Sequence, residues 1–180
     1  MILHLVRHPP VSKVWQKRCY GQSDPGLSRD GQKMIAPMVS QLAALKPDAI
    51  IHSDLQRTLA IAEPLARSLG VTSTADPHWR ERDFGAWEGH TWNAIYRATG
   101  NAMDGMVNDP DHYRPGGGET TQALATRVQV AMQNLPDVDC VVVVSHGGPI
   151  ACAISMQMGA SIYRIASLIP STGSVTVLRF

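Results

Sequence analysis

Short apolar runs and longer amphipathic stretches alternate along most of the chain, and the two patterns predict different elements. A short apolar run bounded by polar or turn-forming residues predicts a buried strand. The segments with this pattern are residues 2–7, 48–53, 71–75, 140–144, 162–169 and 174–180. We therefore expect six strands, the last two of which close the sheet.

Four helices are predicted between these strands, because apolar residues recur there every three or four positions. Ser28 is placed to cap the first helix, the second follows residues 48–53, and Thr120 precedes the long third helix. Pro37 and Pro64 lie inside the first two helices and should weaken or bend them. The first residue of the fourth helix is expected to be a proline, in the run HGGP, where a missing N–H is harmless.

Residues 76–118 do not follow this alternation. The segment contains three of the four tryptophans, several charged residues and the flexible run RPGGGE. We interpret it as loops and short helices over one edge of the sheet, forming a lid or substrate segment. Strands that alternate with helices predict an α/β sandwich, with helices on both faces of a mostly parallel sheet. Residues 1–180 are expected to form one domain.

Composition and charge narrow the function classes. With 44% hydrophobic residues, the chain has enough apolar material for a core. Its 16 basic and 15 acidic residues argue against a nucleic-acid partner, and its three cysteines form no CxxC pair that would suggest a zinc cluster. No apolar run approaches the roughly 20 residues needed to span a bilayer. We see no signal peptide, and we expect a cytoplasmic protein with no membrane partner.

Basic side chains follow three of the predicted strands at their carboxyl ends. Arg7 and His8 end the first strand, Arg57 lies just beyond the second, and His146 follows residues 140–144. Sites in such sheets form in the crevice at the carboxyl ends of the strands, so these side chains should converge. Two arginines and two histidines suit a doubly charged anion. Phosphate is the leading candidate because arginine binds it bidentately.

Two predicted helix starts add to this positive site. Ser53 and Gln56 have the spacing of a capping box, which would begin the helix that carries Arg57. In HGGP, Gly147 and the next glycine would let an anion approach the backbone N–H groups of the following helix. The positive ends of both helix dipoles would then face one pocket.

The histidines suggest covalent catalysis as well as binding. A neutral imidazole is a competent nucleophile toward phosphorus, and a covalent intermediate divides one difficult step into two. The leaving alkoxide also needs a proton, and the run RERDFGAWEG supplies Glu81 and Glu88 in a loop that can fold over the site. Bracing that loop is the alternative role for Glu88.

Six motifs resemble, in order and spacing, those of the histidine phosphatase superfamily, the phosphoglycerate-mutase-like proteins. They are LVRHPP, YGQSDPGLSRDG, SDLQRT, ERDFGAWEG, GGGET and VVVVSHGGPI, which together span nearly the whole chain. The resemblance implies a three-layer α/β/α sandwich and a phosphomonoesterase that needs no metal or organic cofactor. It also implies that His8 is phosphorylated, that Arg7, Arg57 and His146 form the phosphate pocket, and that Glu81 donates the proton.

The compact RCYGQSD loop and the short chain look most like the α-ribazole phosphatase branch, which removes a 5′-phosphate during cobalamin assembly. We assign Gln22 and Ser23 of this loop to phosphate or substrate binding, together with Gly147. Five aromatic side chains would offer a flat surface to a base-like ring, or else pack within the lid: Tyr20, Trp79, Trp87, Trp92 and Tyr113. A broad-specificity or sugar phosphatase is the alternative, and a phosphoglycerate mutase is a further one.

Two positions depart from the family's pattern. The family usually has glycine directly after the nucleophile and asparagine six residues beyond it, where this chain has Pro9 and Val14. These departures motivate a second hypothesis, a module that binds phosphorylated ligands with little turnover. The catalytic hypothesis requires His8 to lie close to Arg57 and His146 and to be open to solvent. We expect a small phosphomonoester as the partner, and an exposed strand edge would permit a homodimer.

Overall fold

The computed structural model describes all 180 residues and is built around a five-stranded sheet. Its strands are β1 (Ile2–Arg7), β2 (Ala49–His52), β3 (Thr74–Ala75), β4 (Cys140–Ser145) and β5 (Val175–Arg179). Their order across the sheet is β3-β2-β4-β1-β5, and all neighbours are parallel except β1 and β5. The mostly parallel sheet that the sequence predicts is confirmed.

Helices cover both faces of this sheet, which gives the predicted three-layer sandwich. They are α1 (Arg29–Ala43), α2 (Gln56–Leu69), α3 (Trp92–Thr99), α4 (Gly105–Asn108), α5 (Thr121–Gln133) and α6 (Gly147–Gln157). Helices α1 and α2 pack on one face, and α5 and α6 on the other. The hydroxyls of Ser28 and Thr120 cap α1 and α5, each accepting a backbone N–H at 2.9 Å. None of the helices is long and apolar enough to cross a lipid bilayer.

The sheet is apolar on both faces because its central strands are buried between the helical layers. Val142 and Val144 of β4 pack with α1 and α2, whereas Val141 and Val143 pack with α5 and α6. All four valines are fully buried. The unbroken apolar run of β4 therefore corresponds to a strand that is covered on both sides.

The parallel register brings three strand ends to the same edge of the sheet. Arg7 at the end of β1 lies opposite Ser145 at the end of β4. Strand β2 pairs with the other side of β4 and ends at the same edge. The residues that follow these strands are therefore neighbours in space: His8 after β1, Ser53 after β2 and His146 after β4.

Residues 76–118 contain α3, α4 and four short 3₁₀ helices, in agreement with the predicted mixture of loops and short helices. The 3₁₀ helices are Pro77–Trp79, Gly85–Trp87, Gly100–Asp104 and Pro115–Gly117. Trp87 and Ile95 of this segment pack with Cys19 in a small apolar cluster, which holds it against the loop that follows β1. The role of the segment as a lid remains a prediction.

Three element predictions are wrong in detail. Residues 162–169 do not form a strand, because Ile162–Leu168 is a 3₁₀ helix whose apolar residues, spaced by three, pack against the core beside α6. Helix α6 begins at Gly147, so Pro149 is its third residue rather than its first. A missing N–H is equally tolerated there, because none of the first four N–H groups of a helix has an intrahelical partner. Pro37 and Pro64 interrupt neither helix.

Candidate active site

The four basic residues that were predicted to converge lie together where β1 and β4 end. Arg7 is the last residue of β1, His8 and His146 directly follow β1 and β4, and Arg57 is the second residue of α2. The imidazole rings of His8 and His146 are 5.2 Å apart between centroids. Nε of Arg57 lies 3.2 Å from Nδ1 of His146. We refer to these four residues as the basic cluster.

His8 is held in one tautomer by the backbone of the next residue. Its Nδ1 lies 2.7 Å from the carbonyl oxygen of Pro9, which can only accept a hydrogen bond, so Nδ1 carries the proton. Nε2 therefore has a free lone pair, and no group of the protein is bonded to it. Burial, followed by the charge of Arg57, lowers the pKa of His8 to about 3, so its imidazole is neutral near pH 7.

His146 has the opposite tautomer. Arg57 can only donate, so the hydrogen bond from its Nε makes Nδ1 of His146 the acceptor. The proton is on Nε2, which donates to Oγ of Ser53 at 2.7 Å, and this hydroxyl lies 3.0 Å from Oγ1 of Thr58. All four side chains are fully buried. Burial, followed by the charge of Arg57, lowers the pKa of His146 well below its usual value.

Both arginines of the basic cluster donate to backbone carbonyls. Nη1 of Arg57 donates to the carbonyl oxygen of Ser23 at 2.7 Å, and its Nη2 donates to that of Gly21 at 2.6 Å. Nη1 of Arg7 donates to the carbonyl oxygen of Pro170. The three carbonyls therefore occupy guanidinium N–H groups of Arg7 and Arg57 that would be needed to bind a phosphate.

The imidazole of His8 is not open to solvent, contrary to what the catalytic hypothesis requires. Its side chain has no exposed surface. The ring of Tyr20 is edge-on to it with the centroids 6.3 Å apart, and the guanidinium carbon of Arg57 lies 5.2 Å from the Tyr20 centroid. Tyr20 belongs to residues 20–23, which we call the covering loop, and Arg57 anchors this loop through the carbonyls of Gly21 and Ser23.

The two departures from the family's pattern have different consequences. The carbonyl of Pro9 orients His8, and this contact needs no N–H at residue 9, so a proline is compatible with the site. Val14 is 69% exposed and has no polar side-chain atom to offer the basic cluster. Its carbonyl accepts a hydrogen bond from Nε of Arg18 at 3.1 Å. The polar contact expected from an asparagine at residue 14 is therefore missing.

Glu81 lies beside the first turn of α6. Its carboxylate accepts the backbone N–H of Gly148 at 3.1 Å and that of Arg82 at 2.9 Å. A Cβ on Gly148 would lie 2.4 Å from Oε1 of Glu81, and a Cβ on Gly147 would lie 3.1 Å from Cζ of Arg7. The two glycines therefore make room for the side chains of Glu81 and Arg7.

The side-chain hydrogen bonds of Gln22 and Ser23 are made to Glu81 and Glu88 rather than to the basic cluster. Both the backbone N–H and the hydroxyl of Ser23 donate to Oε2 of Glu88 at 2.6 Å. The backbone N–H of Gln22 donates to Oε1 of Glu88 at 2.9 Å, and its side-chain amide lies 3.3 Å from the carbonyl oxygen of Glu81. Glu88 thus braces the covering loop. The assignment of Gln22 and Ser23 to substrate binding remains a prediction.

Helix α2 does not begin in the way that its sequence predicts. Ser53 does not form the predicted capping box, because its hydroxyl binds His146 and the residue at the N-cap position is Leu55. The carboxylate of Asp24 accepts the backbone N–H of Gln56 instead, at 3.0 Å. This contact joins residues 32 positions apart, which no local sequence pattern indicates.

A cavity of about 400 Å³ adjoins the basic cluster. Arg7, Glu81 and Gly147 are among its lining residues, and ten of the nineteen lining residues are hydrophobic. Among the aromatic residues predicted to face a ring, Tyr20 and Trp92 line this cavity. Trp79 belongs to the core and Trp87 to the small cluster with Cys19, so these two pack within the protein.

Comparison with known proteins places this arrangement in a family. Residues 3–180 match the model of the histidine phosphatase superfamily (branch 1). The chain is 31% identical over 160 residues to the protein named probable phosphoglycerate mutase GpmB of Salmonella paratyphi C, covering 87% of this chain and 74% of that protein.

Two solved structures have the same fold. A mycobacterial glucosyl-3-phosphoglycerate phosphatase superposes with a TM-score of 0.85 at 26% identity, over 98% of this chain and 88% of that one. The α-ribazole phosphatase of Shigella flexneri superposes with a TM-score of 0.87 at 21% identity, over 98% and 89% of the two chains, a likeness of fold alone. With the family match over nearly its whole length, the chain belongs to the histidine phosphatase superfamily and is a phosphatase enzyme of that superfamily.

Proposed function

We propose that the chain is a phosphomonoesterase that forms a phosphohistidine at Nε2 of His8. The observation that carries the proposal is the free lone pair on this nitrogen, which belongs to a neutral imidazole within the basic cluster. A neutral nitrogen with an unshared pair can attack phosphorus directly, whereas a protonated one cannot. The charges of Arg7 and Arg57 would hold the phosphoryl oxygens and offset the charge that develops on them.

The proposed reaction has two steps. In the first, Nε2 of His8 attacks phosphorus, the bond from phosphorus to the ester oxygen breaks, and the carboxyl of Glu81 gives a proton to the departing alkoxide. In the second, water attacks the phosphorus of the phosphohistidine and gives a proton to the Glu81 carboxylate. The bond from phosphorus to Nε2 breaks, which releases inorganic phosphate and regenerates the neutral imidazole of His8. Both ring nitrogens of His146 have protein partners, so its proposed contact to the phosphoryl group requires the Nε2–H to exchange Ser53 for a phosphoryl oxygen.

Substrate access requires the covering loop to move. Nη1 and Nη2 of Arg57 are bonded to the carbonyls of Ser23 and Gly21, and His8 has no exposed surface. A phosphate would have to replace these carbonyls as the acceptor for Arg57. The second candidate function, a module that binds phosphorylated ligands with little turnover, requires the same movement of the covering loop, so the closed arrangement does not favour it over the enzyme.

We propose α-ribazole 5′-phosphate in cobalamin synthesis as the substrate, with a broad-specificity or sugar phosphatase as the alternative. The aromatic side chains of Tyr20 and Trp92 in the cavity support a ring-bearing leaving group. The relatives described above differ in the reaction that their names state. One is named a probable phosphoglycerate mutase, and another a glucosyl-3-phosphoglycerate phosphatase. A panel of phosphomonoesters with α-ribazole phosphate, sugar phosphates and phosphoglycerates would separate these possibilities.

Five further expectations belong to this proposal. Residues 1–180 act as a single domain, and residues 76–118 contribute contacts to the substrate, as Phe84 and Trp92 at the cavity wall support. The protein acts in the cytoplasm. It needs no cofactor. A homodimer would use an edge strand of the sheet, β3 or β5.

A rapid-quench experiment tests the proposed function. The protein is mixed with a ³²P-labelled phosphomonoester and quenched within milliseconds in alkaline detergent, and the label is located by peptide mapping at high pH, where phosphohistidine persists. We expect label on His8 and none in a His8→Asn variant that remains folded. Turnover of a chromogenic phosphomonoester by the wild type excludes the binding module. Unchanged turnover in the variant would disprove the role of His8.

A further inference from the structure

The segment that carries Glu81 is not held in place by regular secondary structure. Residues 80–84 follow the 3₁₀ helix Pro77–Trp79 and belong to no helix or strand. The carbonyl oxygens of Arg80 and Glu81 accept no backbone N–H. The position of the Glu81 carboxyl therefore depends on side chains that reach this segment from other elements.

Arg127 of α5 binds the segment with its whole guanidinium group. Its Nη1 donates to the carbonyl oxygens of His78 and Arg80, both at 2.7 Å, and its Nη2 donates to that of Glu81 at 3.0 Å. Its Nε and Nη2 also donate to the carboxylate of Glu119, at 3.0 and 2.6 Å. A guanidinium has five N–H donors in a fixed geometry, and all five are used here.

Glu119 extends this contact to the other side of Glu81. Its Oε1 accepts the backbone N–H of Asp83 at 3.0 Å, and its own backbone N–H donates to the carbonyl oxygen of Asp83 at 3.0 Å. The side chains of Arg127 and Glu119 are only 18% and 15% exposed, so solvent and salt screen this ion pair less than a surface pair. Together the two side chains fix the backbone before and after Glu81.

Arg127 does not itself reach the reacting atoms. It is not among the residues that line the cavity, whereas Glu81 is. The carboxylate of Glu81 lies against the backbone N–H of Gly148, beside the basic cluster. A displacement of a reacting group by about 1 Å can lower a rate about 100-fold. A side chain that fixes the backbone of the proton donor can therefore control the rate without touching the substrate.

We propose that Arg127 is a positioning residue for proton transfer by Glu81. It acts through the carbonyls of the segment and through Glu119. This inference rests on the proposed phosphomonoesterase function and adds to it a residue outside the pocket. An arginine that only stabilised the fold would affect all substrates alike. A positioning role predicts instead a loss that grows with the need of the leaving group for a proton.

The test compares two esters that differ in this need. Phenyl phosphate has a poor leaving group, whereas 2,4-dinitrophenyl phosphate has one that departs without a proton. We expect the ratio of kcat/KM for the phenyl ester to that for the dinitrophenyl ester to fall by about tenfold or more in Arg127→Met. The intrinsic reactivities cancel when the ratio is compared between proteins. Equal losses for both esters in the folded variant would overturn the proposal.

Glu81→Gln shows whether Arg127 acts through Glu81. We expect this variant to lower the ratio at least as much, and Arg127→Met added to it to change the ratio by less than about twofold. A further tenfold fall in the double variant would mean that Arg127 acts by another route, contrary to the proposal. A wild-type ratio in Glu81→Gln, or no turnover of either ester by the wild type, would defeat the proposed function instead.

Val128→Ala is the matched control for the packing of α5. Val128 is the next residue of the helix, is fully buried and belongs to the core. Its truncation loosens the same helix and leaves the hydrogen bonds of Arg127 in place. We expect the ratio to stay within about twofold of the wild-type value. A fall as large as that of Arg127→Met would show that the ratio reports only the stability of α5, and the proposal would fail.

Arg127→Lys keeps the proposal testable if Arg127→Met does not fold. An ammonium keeps the positive charge, but its three donors share one nitrogen and cannot reproduce the contacts of the guanidinium fork. We expect the ratio to fall by about threefold or more in this variant. A wild-type ratio in folded Arg127→Lys would show that the charge alone suffices and would rule out positioning by the fork.

Discussion

Nε of Arg57 lies 3.2 Å from Nδ1 of His146 and fixes which nitrogen of that ring is protonated, because a guanidinium can only donate. His146 accepts at Nδ1 from Arg57, so the proton on its Nε2 is the one that Ser53 receives. His8 has the reverse arrangement, with its proton directed at the Pro9 carbonyl and its Nε2 free. Two adjacent histidines are thus held in opposite tautomers, His8 by a backbone carbonyl and His146 by Arg57.

We expect Ser53→Ala to impair the enzyme through His146. The change leaves the Nε2–H of His146 buried without an acceptor, which should lower the free energy of unfolding by about 1–3 kcal/mol. Arg57 still fixes the tautomer, but the ring loses one of its two hydrogen-bonding partners, so kcat should fall by about tenfold with less change in KM. Denaturant titration measures the first effect and steady-state kinetics measure the second. Thr58→Val, which removes only the partner of Ser53, should lower kcat less. Wild-type stability and kcat in Ser53→Ala would contradict this role.

The stability of the protein should decrease as the solution is acidified. Burial and Arg57 lower the pKa of His8 from 6.5 in its ordinary state to about 3 in the folded protein. Between these two values the unfolded chain binds more protons than the folded one, so the free energy of unfolding falls as the pH falls from about 6.5 toward 3. The loss approaches about 1.4 kcal/mol per pH unit for one such histidine.

Denaturant titrations of the wild type and of His8→Asn between pH 7 and pH 4 measure this dependence. The variant should lose stability less steeply with acidification, because it lacks one of the buried neutral imidazoles. His146, whose pKa is lowered in the same direction, accounts for part of the dependence that remains. Parallel curves for the two proteins would show that His8 does not titrate in this way.

Gly148→Ala should reduce activity by displacing Glu81. The new Cβ would lie 2.4 Å from Oε1 of the carboxylate, so the side chain of Glu81 would have to move. If Glu81 is the proton donor, kcat/KM for an ester with a poor leaving group should fall by about tenfold or more, and less for a good leaving group. Gly26→Ala is a suitable control, because its nearest neighbour would be 3.8 Å away. Equal losses for both esters would argue against the role of Glu81.

Glu88→Gln should loosen the covering loop. The carboxylate of Glu88 accepts from the backbone of Gln22 and Ser23, from the Ser23 hydroxyl, and from the backbone N–H of Phe84 at 3.2 Å. The side-chain amide of the variant has only one acceptor oxygen, so its NH2 group would face one of these donors. The free energy of unfolding should therefore fall by about 1–3 kcal/mol. Hydrogen exchange should accelerate at residues 20–23. Unaltered exchange there would show that Glu88 does not hold the loop.

The sequence was sufficient to predict the layers of the fold and the convergence of four basic residues, for identifiable reasons. Parallel strands end at one edge, so Arg7 and His146 could be placed together from the chain order alone. The 3₁₀ helix Ile162–Leu168 was mistaken for a strand because a short apolar run does not distinguish the two. The burial of His8 by the covering loop and the contact between Asp24 and α2 depend on loop geometry, which produces no periodic pattern in the sequence.

The guanidinium of Arg57 donates to the carbonyls of Gly21 and Ser23, and a bound phosphate would need the same N–H groups. Ligand binding and release of the covering loop are therefore linked equilibria. The free energy of the hydrogen bonds between Arg57 and the covering loop is subtracted from the free energy of phosphate binding, since the same N–H groups cannot serve both acceptors. A saturating anion should consequently make the peptide bonds around residue 22 more susceptible to protease, the reverse of the protection that ligands usually confer.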